Sequence, residues 1–157
     1  MPATTAAIND TVGRSVAISG LTGIAVIHVL QAPEAFDETF YLGLLFIGAV
    51  VIAVALSAAL TIGSDTGVWT ATAVLPALIL LGYLLSRTTG LPGATDDVGE
   101  WEEPLGLVSL VVEGLTLCVA GGVLGARRQA AGVVVAGVAS TREPAVQPMP
   151  RDGIVTW

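Results

Sequence analysis

The sequence predicts an all-α polytopic membrane protein: an antiparallel bundle of four transmembrane helices with both termini cytoplasmic. Three observations predict it. First, 54% of the 157 residues are hydrophobic and 12% are charged, against about 25% charged in an ordinary soluble domain. Second, the apolar residues come in four long blocks, each near the ~20 residues that cross ~30 Å of hydrocarbon. Third, arginines flank the outermost blocks, with Arg14 before the first and Arg127 and Arg128 after the last. Open sheets cannot span lipid, because their edge amides go unsatisfied, and the short alternating segments of a β-barrel are missing.

The first span covers about residues 15–32. It resembles a signal peptide in length, but Leu30 and Ala32 do not make a small-x-small cleavage site, so it reads as a retained helix. A loop over Pro33–Thr39 follows, then the second span, 40–62, and a five-residue link over Gly63–Gly67. The third span, 68–87, contains Pro76, expected to kink it. It ends in the turn formers Gly90-Leu91-Pro92-Gly93. The fourth span covers 105–125. Short connections make consecutive helices antiparallel neighbours.

Domain organisation follows. Residues 1–128 form the membrane domain and 129–157 a short segment and tail. Ala130–Ser140 is too short to span and is expected to lie at the interface or on the bundle. Thr141–Trp157, polar and proline-containing, reads as a loosely held tail.

Orientation follows from the arginines. The positive-inside rule puts both termini in the cytoplasm, as an even number of spans requires. The loops after spans one and three are then outside, and they hold eight of the 13 acids. Phe40, Tyr41 and Trp101 fall at the outer boundary and Trp69 at the inner one, as aromatic belts do. The location this implies is the plasma membrane of a prokaryote, as a multi-pass protein.

The net charge of −7, with six arginines and no lysine, argues against nucleic acid as a partner and against an anionic-lipid patch. Without lysine there is no retinal Schiff base. With one histidine there is no bis-histidine haem, and with Cys118 as the sole cysteine there is no iron–sulfur cluster. Cys118 reads as a small packing residue.

Few polar residues lie within the apolar blocks. Glu113 is nine residues past Pro104, so ~13 Å below the outer helix end at ~1.5 Å per residue. A carboxylate there costs at least ~2.5 kcal/mol unless it is paired or protonated. It is therefore expected to face protein or water, within hydrogen-bond or one-water reach of Arg87, His28 or Tyr83. Gly106, Ser109, Glu113, Thr116 and Ala120 recur at helical spacing and form one small, polar stripe. Ser15, Ser19 and Gly23, and separately Gly121 and Gly125, are further small-residue faces for close helix contacts.

Arg87 closes span three, with Tyr83 one turn earlier. It is either a partly buried partner for Glu113 or an anion clamp; the alternative is an interface anchor neutralised by the acidic loop. His28 is a proton-responsive candidate near the outer surface, against a satisfied bundle residue. Glu34 and Glu38 would share a helical face and, with the second loop, could ligate a hard cation, against a solvated acidic surface. The candidate pocket is therefore His28, Glu34, Glu38, Tyr41, Tyr83, Arg87 and Glu113. No Ser-His-Asp set, phosphate loop or HExxH motif is present, so no catalytic residues and no protein metal site are assigned.

His28, Ala32-Pro33-Glu34, Glu38, Tyr41-Leu42-Gly43-Leu44-Leu45-Phe46, Ser86-Arg87-Thr88-Thr89-Gly90-Leu91-Pro92 and Glu113 together resemble the pattern of a group of uncharacterised four-helix integral membrane proteins of actinobacteria and other GC-rich prokaryotes. Many members of that group carry a second histidine after the Pro-Glu. Ala35 stands there here, which weakens a metal role for the first outer loop. The resemblance implies the fold and topology, adds weight to His28, Arg87 and Glu113, and implies no activity. The functional expectation is a small, non-enzymatic membrane protein with an outer-leaflet pocket for a small ligand, ion or proton. The alternatives are a subunit of a larger membrane complex (or a homodimer) and an enzyme acting on a lipid or quinone head group.

Overall fold

The computed structural model describes residues 2–141, with side chains over residues 10–134. Within them the regular structure is α-helical throughout: α1 Pro2–Glu38, α2 Phe40–Ile62, α3 Thr66–Thr88 and α4 Pro104–Thr141. All four are long and apolar enough to cross a membrane. The chain divides into two units, Met1–Gly125 and Ala126–Trp157. The bundle is the first; of the second, the described part is the end of α4. The expected tail beyond residue 141 lies outside the described residues.

Local chemistry accounts for the helix ends. The Asp65 side chain caps α3, accepting the Val68 N–H at 3.0 Å. Beyond the α3 C-cap Thr89, Gly90 takes a positive φ of 75° and returns its N–H to the Leu85 carbonyl at 3.0 Å. Pro104 opens α4, where a missing N–H costs nothing. Pro76 lies inside α3 and cannot donate to the Thr72 carbonyl one turn back, yet the helix continues to Thr88.

The expected loop at Pro33–Thr39 is a correction. Helix α1 runs through Pro33 to Glu38, leaving Thr39 alone between α1 and α2. Proline costs one internal hydrogen bond, but Glu34, Ala35 and Glu38 are good helix formers. Ala35 is also buried against Leu42 and Ala94, which rewards keeping the helix intact. Likewise Ala130–Ser140 is not a separate segment but a continuation of α4.

The core draws side chains from all four helices, among them Ala17, Leu21 and Ile24 of α1, Ala53 and Leu60 of α2, Trp69 of α3 and Ala120 of α4. Trp69 is completely buried, not at an interface as its position suggested. Phe40, Tyr41 and Trp101 are exposed, as expected. Many large apolar residues also face outward, including Leu45, Val51, Val111 and Leu115. A helix apolar on every side suits lipid as its surroundings.

Of the small residues the spacing suggested, Gly23 is used for close helix contact, together with Gly13 and Gly20. A Cβ on Gly20 would overlap the Thr116 hydroxyl, one on Gly23 would lie 3.0 Å from Val112, and one on Gly13 3.3 Å from Val123. Ser15 and Ser19 are exposed, and a Cβ on Gly121 or Gly125 would meet nothing within 4 Å. Cys118 is exposed on the outer surface and is not a packing residue. The α4 stripe is as read: Gly106, Ser109, Glu113, Thr116 and Ala120 are the buried residues of that helix among those described.

Candidate functional site

The loop after α3 folds back over the end of its own helix. Leu91 and Ala94 close a tight turn through two backbone hydrogen bonds of 2.8 and 2.9 Å, with Gly93 at φ 76°. Only glycine takes such angles cheaply. The Gly99 N–H then donates to the Arg87 carbonyl at 3.0 Å. That return brings Asp97 and Glu103 onto the Arg87 guanidinium, which forms ion pairs with both. Arg87 is 5% exposed, while the two carboxylates are about one-third exposed. Its guanidinium carbon also lies 5.2 Å from the centre of the Tyr83 ring. Glu103 in turn accepts a hydrogen bond from the Gln31 side chain at 3.2 Å. One guanidinium therefore ties α3, the following loop, the start of α4 and, through Gln31, α1.

Glu113 lies apart from this cluster. It is 1% exposed. Its Oε1 accepts the Ser109 hydroxyl at 2.6 Å and lies 4.0 Å from His28 Nε2. Its Oε2 is buried and has no hydrogen-bond partner. His28 Nδ1 sits 2.9 Å from the Ile24 carbonyl. A carbonyl only accepts, so Nδ1 carries the hydrogen, and a neutral ring then presents a lone pair at Nε2. With Glu113 ionised, two acceptors, Nε2 and the carboxylate, face one another.

Both features line one cavity of about 520 Å³ formed between the helices of the bundle. That lies within the ~300–1,000 Å³ typical of small-molecule sites. Six of the seven candidate residues line it: His28, Glu34, Glu38, Tyr83, Arg87 and Glu113. Tyr41 does not; its hydroxyl donates to the Pro92 carbonyl at 2.9 Å and pins the loop to α2. Arg87 does not pair with Glu113, because its two terminal nitrogens are taken by Asp97 and Glu103, leaving only a buried Nε without a partner. Sequence reasoning missed Gln31 and the particular roles of Asp97 and Glu103. Gln31 is one turn beyond His28 on the same face, a signal that was available. Nothing local separates Asp97 from Asp96, or Glu103 from Glu102.

No three His, Cys, Asp or Glu side chains among the described residues converge closely enough to hold a metal ion. The arrangement defines a class: an all-helical chain suited to the membrane, with a carboxyl-bearing cavity among its helices. Compared with known proteins, the chain matches no family model, no curated protein and no solved structure.

Proposed function

We propose that this chain is a non-enzymatic integral membrane protein of a prokaryotic plasma membrane, and that its cavity binds a small ligand from the outer side. The observation that carries this reading is Glu113: a fully buried carboxyl with one oxygen unpartnered, lining a cavity large enough for a small molecule. Burying such a group without a partner costs ~1–3 kcal/mol or more, a cost that a purely structural position would not retain.

The topology belongs to the same proposal. As α1 is followed from Gly13 through Gly20 and Gly23 to Gln31, the contacts fall on Val123, Thr116, Val112 and Glu103, in descending order. That order supports α1 and α4 running antiparallel. With Arg14 just ahead of the first span and Arg127 and Arg128 just after the fourth in the sequence, the positive-inside rule puts both termini in the cytoplasm and the Arg87 loop outside. Kinship with the actinobacterial four-helix group rests on the motifs that suggest it.

Native mass spectrometry of the protein in bilayer nanodiscs tests the ligand. Gly48 and Gly82 both line the cavity, and a Cβ at either would meet nothing within 4 Å, so Gly82→Leu fills the space without a clash. The expected result is a small-molecule adduct on the wild type that Gly82→Leu removes. An identical adduct pattern in both proteins would contradict the reading.

A second reading, a subunit of a larger membrane complex, has one observation in its favour: Gly114, Gly121 and Gly125 of α4 have open space where a Cβ would stand. Stoichiometric co-purification of a second membrane protein, abolished by Gly121→Leu, would favour it.

A further inference from the structure

The lining of the cavity names a ligand class, on the premise that the cavity is a binding site. Six carboxyl side chains line it: Glu34, Glu38, Asp97, Glu100, Glu103 and Glu113. The one guanidinium, Arg87, is already committed to Asp97 and Glu103. An anionic ligand would enter against this excess of negative charge, and the charge of the one lining guanidinium is already neutralised by two carboxylates. The deepest polar group, Glu113, offers a free acceptor oxygen. The histidine beside it offers a second acceptor at Nε2, because Nδ1 is bound to a carbonyl. Two facing acceptors call for a donor between them.

The lining from α2 and from the middle of α3 is hydrocarbon and glycine. Leu44, Leu45 and Ile52 of α2 and Leu78 of α3 line the cavity and are each 49–62% exposed. The cavity therefore opens sideways between α2 and α3, toward the acyl chains of a surrounding bilayer. Gly48 and Gly82 line the same region with nothing where a Cβ would stand, so the opening is kept clear by the sequence itself. Phe46 lies 5.0 Å from the His28 ring and adds an aromatic face beside the acceptors.

We infer that the cavity takes an amphipathic ammonium ion, an N–H-bearing cationic head on an apolar chain, with the head between Glu113 and His28 and the chain passing between α2 and α3. An inorganic cation does not fit: three ligating side chains do not converge among the described residues, and the α2 side of the cavity offers it only hydrocarbon. The head gains a charge-assisted hydrogen bond to Glu113, and the chain leaves lipid only in part, so entry needs no passage through water.

The test uses the full chain in nanodiscs of zwitterionic lipid, with empty nanodiscs subtracted, titrated with dodecylammonium, dodecyltrimethylammonium, dodecanol and dodecyl sulfate. The expected result is saturable binding of dodecylammonium at one per chain, about tenfold or more tighter than the other three. Glu113→Gln should weaken it by a similar factor while melting at no lower temperature than the wild type. Gly82→Leu, which leaves every polar group in place, should abolish it. Equal binding of the quaternary ion, the alcohol or the sulfate, still blocked by Gly82→Leu, would overturn the ammonium assignment and leave the cavity as a site of another class. Saturable binding of none of the four, with no adduct removed by Gly82→Leu in the mass spectrum, would overturn both.

Discussion

Neutralising the partners of Arg87 should cost more than removing Arg87 itself, although both changes break the same two ion pairs. The perturbations are the double variant Asp97→Asn, Glu103→Gln and the single variant Arg87→Met. The difference lies in what each leaves behind. Asp97 and Glu103 are about one-third exposed, so without the arginine they regain water. Arg87 is 5% exposed beneath the loop and cannot do so without the loop opening. Stripping a buried ion of its partner costs about 3–5 kcal/mol, whereas an exposed pair is worth at most about 1 kcal/mol. The double variant should therefore lose about 3 kcal/mol, near the lower bound because Arg87 sits at a helix end, and Arg87→Met about 1–2 kcal/mol. Combining all three changes should recover most of the loss of the double variant, since no buried charge is then orphaned. Equilibrium unfolding in mixed detergent measures the series. If Arg87→Met proves more damaging than the double variant, the guanidinium acts through packing of its stem and the electrostatic argument fails.

Gly20→Val should destabilise the bundle by about 1–3 kcal/mol, because its Cβ position is occupied by the Thr116 side chain, while Gly121→Leu, with open space around it, should melt like the wild type as a monomer. Thermal melts in detergent compare the two. Tyr41→Phe should cost about 0.5–1.5 kcal/mol and speed proteolysis within the 89–103 loop, because the hydroxyl holds the Pro92 carbonyl; unchanged cleavage would mean that Leu91 and Ala94 anchor the loop without it. For topology, single cysteines at Thr95 and Thr66, placed in a Cys118→Ala background, should be labelled by an impermeant reagent from outside the cell at Thr95 only.

The helices were legible because the signal for a membrane span is a long average, robust to single residues. Four apolar blocks became four helices, and α2 begins and ends at the expected residues. Ends decided by competition between local and tertiary effects were less legible. Pro33 reads as a stop because its own hydrogen-bond cost is visible in the sequence, whereas the burial of Ala35 against Leu42 and Ala94 is not. The polar stripe of α4 was readable for a related reason: in a helix surrounded by lipid, Ser109, Glu113 and Thr116 must share the protein-facing side. Which cation Glu113 would meet was not readable. Arg87 had several carboxylates within range, and the choice among them is made by the return of the loop through Gly93 and Gly99, glycines that permit the turn without announcing where it leads. Trp69 misled because tryptophan at a span end usually marks the interface, while here the indole is fully buried in the core with Ala17, Leu21 and Ala120.

The claim on which the rest depends is that a cavity open to the outside reaches Glu113. Ser109 lies one turn from Glu113, lines the cavity and is buried. In a Cys118→Ala background, Ser109→Cys should react in intact cells with a small, impermeant, cationic thiosulfonate, faster than with its anionic counterpart, and dodecylammonium should slow the reaction. A cysteine at 109 that reacts only after the membrane is dissolved, or only from the cytoplasmic side, would contradict the account.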